Sequence, residues 1–270
     1  GVFAANLPPC IRQVEHSPQQ PKAGEIVTIT AKVTDTDGVA AVVLRYQIND
    51  PGSYIPKTLP NLSTTTPTLP NSAYETGWVD LTMHDDGLNG DIEAGDSVYT
   101  IQIPANLQVN RRLMRYRIMA VDNNPLTVIV PYGDDPQSNF AYFVYNGVPT
   151  WTGDGVTYTR EVLGSLPVYH LISRSTDVEN CFWNSSYNNG NGLFSGTLVY
   201  DGKVYDHVFY HIRGIASTYR WGKNKCRINF NRGHYFQACD DYGKKYDAEW
   251  NSLVFGTGTC PWWQYPHPGG

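Results

Sequence analysis

Residues 25–38, EIVTITAKVTDTDG, decide the class of fold. Val27, Ile29, Ala31 and Val33 alternate with polar residues, the period of a strand with one buried and one wet face, and Thr34-Asp35-Thr36-Asp37-Gly38 supplies a turn. VAAVVLRYQIN, residues 39–49, reads as the next strand. Beyond a Pro/Thr-rich loop come GWVDLTMHDDG, SVYTIQIP, RLMRYRIMAVDNN and NFAYFVYNG, each closed by Gly, Pro, Asn or Asp. Short strands at this spacing, from about Pro8 to Tyr145, predict an all-β sandwich.

The number of strands and the turn signals between them suit a sandwich of immunoglobulin-like type over residues 1–147. NGVPTWTGDGVTYTREV has turn residues and no sustained period, so residues 148–160 read as a linker. A second unit, strand-rich with some helix, is expected over 161–270. LPVYHLI is a short apolar strand there. GTLVY, Asp201-Gly202 and KVYDHVFYHIRG carry the Asp-Gly signature of a hairpin between alternating runs. KCRINFN sets Cys226, Ile228 and Phe230 against Lys225, Arg227 and Asn229, so its cations share one strand face.

Composition agrees. Only 17% of the 270 residues are charged, and 25 Gly and 18 Pro favour strands and turns over helices. A chain of this length can bury one large core or two medium ones. The formal net charge of -5 argues against a nucleic-acid partner, which asks for a basic domain or stripe. No apolar run is long enough for a membrane-spanning helix. The chain opens on Gly1 without an initiator Met or a secretory leader, which points to a processed start. Cys10, Cys181, Cys226, Cys239 and Cys260 form no C-x-x-C pair, and their odd number leaves at least one thiol without an intrachain partner. Asn61-Leu62-Ser63 and Asn184-Ser185-Ser186 are glycosylation sequons, suited to an extracellular protein.

Three stretches carry candidate chemistry. From His211 to Gln237 the chain holds Arg213, Arg220, Lys223, Lys225, Arg227 and Arg232 without an acidic residue. These are candidate phosphate contacts, or the solvated face of a sheet. NNGNGLFSG places Gly190, Gly192 and Gly196 ahead of a strand, but its spacing misses the G-x-G-x-x-G of nucleotide loops, and no Walker, H-R-D or D-F-G motif accompanies it. MHDDGLNGDIEAGDSVYT is the densest acidic stretch. Asp85, Asp86, Asp91 and Asp96 on a glycine-kinked backbone could give a hard cation such as Ca2+ its oxygens, or could satisfy their own backbone as Asx-turns do. No His pattern fits a zinc site and no Ser stands in G-x-S-x-G. Trp262-Trp263 near the C-terminus could stack on a sugar or pack against further chain.

SLPVYHLI and the run from GTLVYDGKVYDHVFYHIRG to YDAEWNSL resemble the leading part of a spore-coat-protein-H (CotH) kinase-like domain of large secreted bacterial proteins. The resemblance rests on Arg213-Gly214 closing a strand, Ser217 in the turn, and Gly222-Lys223-Asn224-Lys225 leading into an alternating strand. PPCIRQVEHSPQQP, DDGLNGDIEAGDSVYT and NFAYFVYNGVP are similar to the immunoglobulin-like domain that often precedes it. The family implies phosphorylation of proteins with ATP and Mg2+. The later acidic residues that would hold metal and activate the acceptor have no counterpart in this chain. The expectation is therefore a non-catalytic extracellular structural or binding segment, pairing with itself or other chains through exposed strand edges. Part of an active kinase and a carbohydrate-adhesion module are the alternatives.

Overall fold

The alternating run settles as its period requires: Val27, Ile29, Ala31 and Val33 are buried, and the polar residues between them are half-exposed. The structure is a computed structural model that describes residues 6–60, 69–184, 193–213, 225–240 and 242–256. It is mainly β, 45% strand against 9% helix. The strands are β1 (Cys10–Ser17), β2 (Val27–Thr34), β3 (Val39–Asn49), β4 (Thr58–Leu59), β5 (Leu69–Pro70) and β6 (Trp78–Met83). Then come β7 (Val98–Ile103), β8 (Leu113–Asp122), β9 (Thr127–Val130), β10 (Phe140–Phe143), β11 (Trp151–Gly153) and β12 (Val156–Tyr158). The remainder are β13 (Tyr169–Ile172), β14 (Phe194–Tyr200), β15 (Lys203–Ile212), β16 (Cys226–Asn229) and β17 (Ser252–Phe255). Among the described residues a 3-10 turn (Ala105–Leu107) and three short α-helices complete the set: α1 (Ser72–Glu75), α2 (Arg160–Gly164) and α3 (Ser175–Trp183). No helix among the described residues is long and apolar enough to cross a membrane.

Two compact units separate. The first takes residues 1–51, 77–169 and 199–204, and the second 52–76, 170–198 and 205–270. Neither is one continuous piece of chain. The 52–76 stretch, sequence-adjacent to the first strands, belongs to the second unit, and the 199–204 turn belongs to the first.

In the first unit, β1-β2-β7 and β10-β8-β3-β6 are antiparallel sheets, with β9 pairing β8. Both sheets feed one core: Ile11, Val27, Ile29 and Ile103 from the first, Leu44, Tyr46, Tyr116, Ile118 and Tyr142 from the second. His16 joins them, its Nδ1 lying 2.9 Å from the Tyr116 hydroxyl and its Nε2 3.3 Å from the Gln19 carbonyl oxygen. Burial drives the Tyr116 hydroxyl far above its usual range, so it remains a neutral donor, which makes Nδ1 the acceptor and leaves the ring proton on Nε2 for Gln19.

Burial also pushes the His16 imidazole below its ordinary 6.5, with the Gln19 carbonyl opposing in part. The unfolded chain therefore binds the proton first as pH falls. His16 contributes stability that is fully present above 6.5 and drains away between 6.5 and its lower folded-state value. Urea midpoints measured from pH 8 to pH 5 are expected to fall through this window, and His16→Gln to flatten the slope. An equal slope in the variant refutes the assignment.

Residues 148–160 are more ordered than their lack of period suggests. β11 and β12 form a hairpin with Trp151 opposite Tyr158 and Thr152 opposite Thr157, whose hydroxyls lie 2.9 Å apart. Asp154 and Gly155 both have positive φ, the requirement of a type I′ turn.

A further sheet, most of it in the second unit, runs β13-β14-β15-β16-β17. The expected hairpin forms, with Asp201 and Gly202 at positive φ. The side chain of Asn71 accepts from the Ala73 N–H at 3.2 Å to start α1, which buries Tyr74. Before α3, Arg174 grips the buried Asp177 through two bonds of 2.8 and 2.7 Å, and that first-turn carboxylate also faces the positive end of the helix.

Candidate functional site

The acidic loop joins β6 to β7, and so runs from one sheet of the sandwich to the other. Positive φ at Gly87, Asn89, Gly90 and Gly95 coils the backbone tightly. At Gly90 a Cβ would also meet Gln102 Nε2 at 2.8 Å. The coil brings one oxygen each of Asp85, Asp91 and Asp96 within 4.8 Å of one another. Asp86, the fourth expected ligand, does not join them: it is exposed and accepts the Leu88 N–H at 3.0 Å.

The three converging carboxylates also serve the loop itself. Asp85 accepts the N–H of Gly95 at 2.7 Å and of Ser97 at 2.9 Å. Asp91 accepts the Gly87 N–H at 2.7 Å, and Asp96 the Val98 N–H at 2.8 Å. These bonds are the backbone-satisfying arrangement of the second sequence reading. Each ionised oxygen has two lone pairs, so Asp85, Asp91 and Asp96 could still hold a hard cation such as Ca2+, although such ions ask for six or more oxygens.

On the second unit the cations line up as the alternation of KCRINFN requires. Cys226, Ile228 and Phe230 are buried while Arg227 is exposed. The Arg213 N–H donates to the Lys225 carbonyl at 2.9 Å, and His211 stands opposite Arg227. Arg213, Lys225, Arg227 and His211 therefore form a two-by-two block on one face of the β15–β16 ladder. Arg227 also donates to the Ser252 hydroxyl at 3.0 Å on β17. Lys223 lies outside the described residues, as do Asn61, Gly190, Gly192, Trp262 and Trp263. Asn184 ends α3, half-buried, with its amide 3.4 Å from the Asn180 side-chain oxygen. Gly196 is in β14, where a Cβ would stand 3.1 Å from the Ile172 carbonyl oxygen. That glycine serves close strand packing.

The sequence reading missed one polar cluster. Asp206 and His207 are neighbours in β15 and both buried, with Nδ1 of the imidazole 2.7 Å from Asp206 Oδ2. The Thr197 hydroxyl donates to Asp206 Oδ1 at 2.5 Å. Asn231 donates to the carbonyls of both residues at 3.2 Å, and the Tyr74 ring meets the imidazole edge-on at 5.2 Å. His207 has φ +57, which breaks the alternation that would send adjacent side chains to opposite faces. The local trace was an adjacent Asp-His within β15, which by itself does not place both side chains in the core.

An acid–base pair this enclosed can set a fold but cannot reach a substrate. The residues with catalytic character are thus divided between a sealed pair, a self-capped loop and an open cationic face. A scan against protein-family models finds no match to this chain, and a search of the curated proteins finds none either.

Proposed function

We propose that the chain is a non-catalytic extracellular structural or binding segment of a larger CotH-like secreted protein, with an immunoglobulin-like sandwich before a kinase-like lobe. The observation that carries this reading is the commitment of the Asp206–His207 pair to the fold. Asp206 is 0% and His207 6% exposed, and the Thr197 and Asn231 bonds tie them into the sheet. Function then falls to surfaces. In the second unit β13 and β17 are the outer strands of the sheet among the described residues, and Val254 on β17 is exposed. An outer strand offers backbone donors and acceptors to another strand, and another copy of this chain is the partner this reading favours.

Sedimentation equilibrium over a hundredfold concentration range tests the assembly. Average mass is expected to rise with concentration, and Val254→Lys, which places a charge on the outer strand, to suppress the rise. A monomer mass throughout defeats self-pairing.

The cationic block favours a second reading, part of a protein kinase, with Arg213, Lys225 and Arg227 against phosphate. Incubation with radiolabelled ATP, Mg2+ and a generic protein acceptor separates the two. The non-catalytic reading expects no incorporation, whereas transfer that Lys225→Ala abolishes would establish the kinase.

A further inference from the structure

Among the described residues β7 is the outer strand of the β1-β2-β7 sheet, and only part of its outer edge is occupied. The Thr100 N–H donates to the His84 carbonyl at 2.7 Å, and the His84 N–H donates back to the Thr100 carbonyl at 3.0 Å. This bridge is isolated. In register, the place opposite Gln102 would fall to Thr82, but Thr82 pairs with Val43 in the other sheet. Backbone groups alternate along a ladder, so Gln102, like Thr100, turns its N–H and C=O away from β2. Gln102 has no backbone partner on that side among the described residues. Pro104 closes the far end, having no N–H and giving its carbonyl to Leu107 at 3.0 Å.

A recess of about 470 Å³ opens at the same place, with apolar walls formed by Ile26, Leu88, Ile101, Pro104 and Ala105. Ile26 and Leu88 are 52% and 63% exposed, so the apolar rim is open to water. Leu88 belongs to the acidic loop, between Asp85 and Asp86 on one side and Asp91, Glu93 and Asp96 on the other. The Thr100 hydroxyl donates to Asp91 Oδ1 at 3.4 Å, which holds that carboxylate against the wall. Residues 58–110 contain neither Lys nor Arg, and the turn before Ile26 adds one charge of each sign, Lys22 and Glu25. The field at the mouth is therefore negative.

We propose that this edge and its recess receive an extended, cationic peptide segment of another protein. The segment lies antiparallel to β7, and the residue opposite Gln102 exchanges two backbone bonds with it and seats an apolar side chain between Ile26 and Leu88. The backbone bonds fix register, the apolar side chain supplies contact area, and flanking lysines answer the carboxylates of the loop. A second copy of this chain matches less well, since its formal net charge is -5. The site lies on the first unit and is independent of pairing through β17, so the two proposals stand or fall separately.

The test is calorimetric titration of the full chain, in low salt with EDTA, with the peptide acetyl-Lys-Thr-Leu-Thr-Lys-amide. Saturable binding is expected, with slower hydrogen exchange over residues 98–103. Replacing both lysines of the peptide by Glu, or methylating its Leu nitrogen, should each weaken binding about tenfold or more. Ala105→Trp, which fills the recess, should do the same. Leu88→Lys, a change at an exposed position, should also weaken binding tenfold, and it decides where Ala105→Trp fails to fold. No saturable binding up to about 1 mM peptide overturns the proposal. Equal affinity for the Glu or methylated peptide, or for the Leu88→Lys chain, overturns it too. Absence of peptide binding together with loss of concentration-dependent mass in Leu88→Lys would give the recess to a second copy and likewise overturn it.

Discussion

Asp206→Ala is expected to remove about 2–5 kcal/mol of stability, the cost of leaving buried polar groups without their partner and a void behind the deleted carboxylate. The Thr197 hydroxyl loses its acceptor at 2.5 Å, and the His207 imidazole loses the carboxylate oxygen 2.7 Å from its Nδ1. Each stranded donor costs about 1–3 kcal/mol, because the closed strand admits no replacement from water. The methyl group also leaves a cavity where Asp206 has no exposed surface. Asp206→Asn retains one oxygen for Thr197 and should lose less. Urea unfolding followed through tyrosine and tryptophan fluorescence measures both variants, together with hydrogen exchange of the β15 amides. A loss below about 1 kcal/mol in the alanine variant would mean that the pair does not organise the strand.

The second large effect is in the other core. Leu44 is fully buried in β3 between β6 and β8, so Leu44→Ala should cost about 2–5 kcal/mol from lost transfer energy and a residual void. Ile92, 97% exposed on the acidic loop, provides the contrast, and Ile92→Ala should stay within about 0.5 kcal/mol of the parent. The difference tests the strand period directly. If β3 were displaced by one residue, Leu44 would face outward and the two substitutions would look alike.

The legible parts of the fold were those in which neighbouring residues alone dictate the outcome. The alternation of β2, the buried face of β16 and the Asp201-Gly202 turn follow from period and from the φ that glycine tolerates. Asp154-Gly155 carried the same turn chemistry, yet flanking strands of three residues are too short for a period to emerge. Arg115 shows a different limit. Alternation along β8 assigns it to the face away from the sandwich core, where an arginine suggests water. It is instead 0% exposed and donates to Gln47 Oε1 at 3.2 Å across the β3–β8 ladder. No local pattern announces which sheet face will be covered.

The candidate site divides in the same way. The spacing of Asp85, Asp91 and Asp96 by glycines showed that they could converge, because a tightly coiled backbone folds its own carboxylates together. Asp86 failed to join because its oxygen closes a turn on Leu88 two residues ahead, a choice made at the level of single hydrogen bonds. The Asp206–His207 pair could not be inferred, since it depends on Tyr74, Thr197 and Asn231 arriving from separate stretches of chain. The cationic block was half legible: β16 announced its exposed face, while its alignment with Arg213 required the register of β15.

The interleaving of the two compact units has a consequence for synthesis. Following the chain from its first residue, the path passes from one unit to the other five times. The first unit acquires its last piece, residues 199–204, only after the 52–76 and 170–198 segments of the second have emerged. A ribosome therefore starts the second unit, with 52–76, before the strands of the first are complete, and the turn around Asp201-Gly202 follows both sheets of the sandwich. The same threading argues against dividing the gene near residue 160: the upstream product would lack 199–204 and carry 52–76 without the rest of the unit to which that segment belongs.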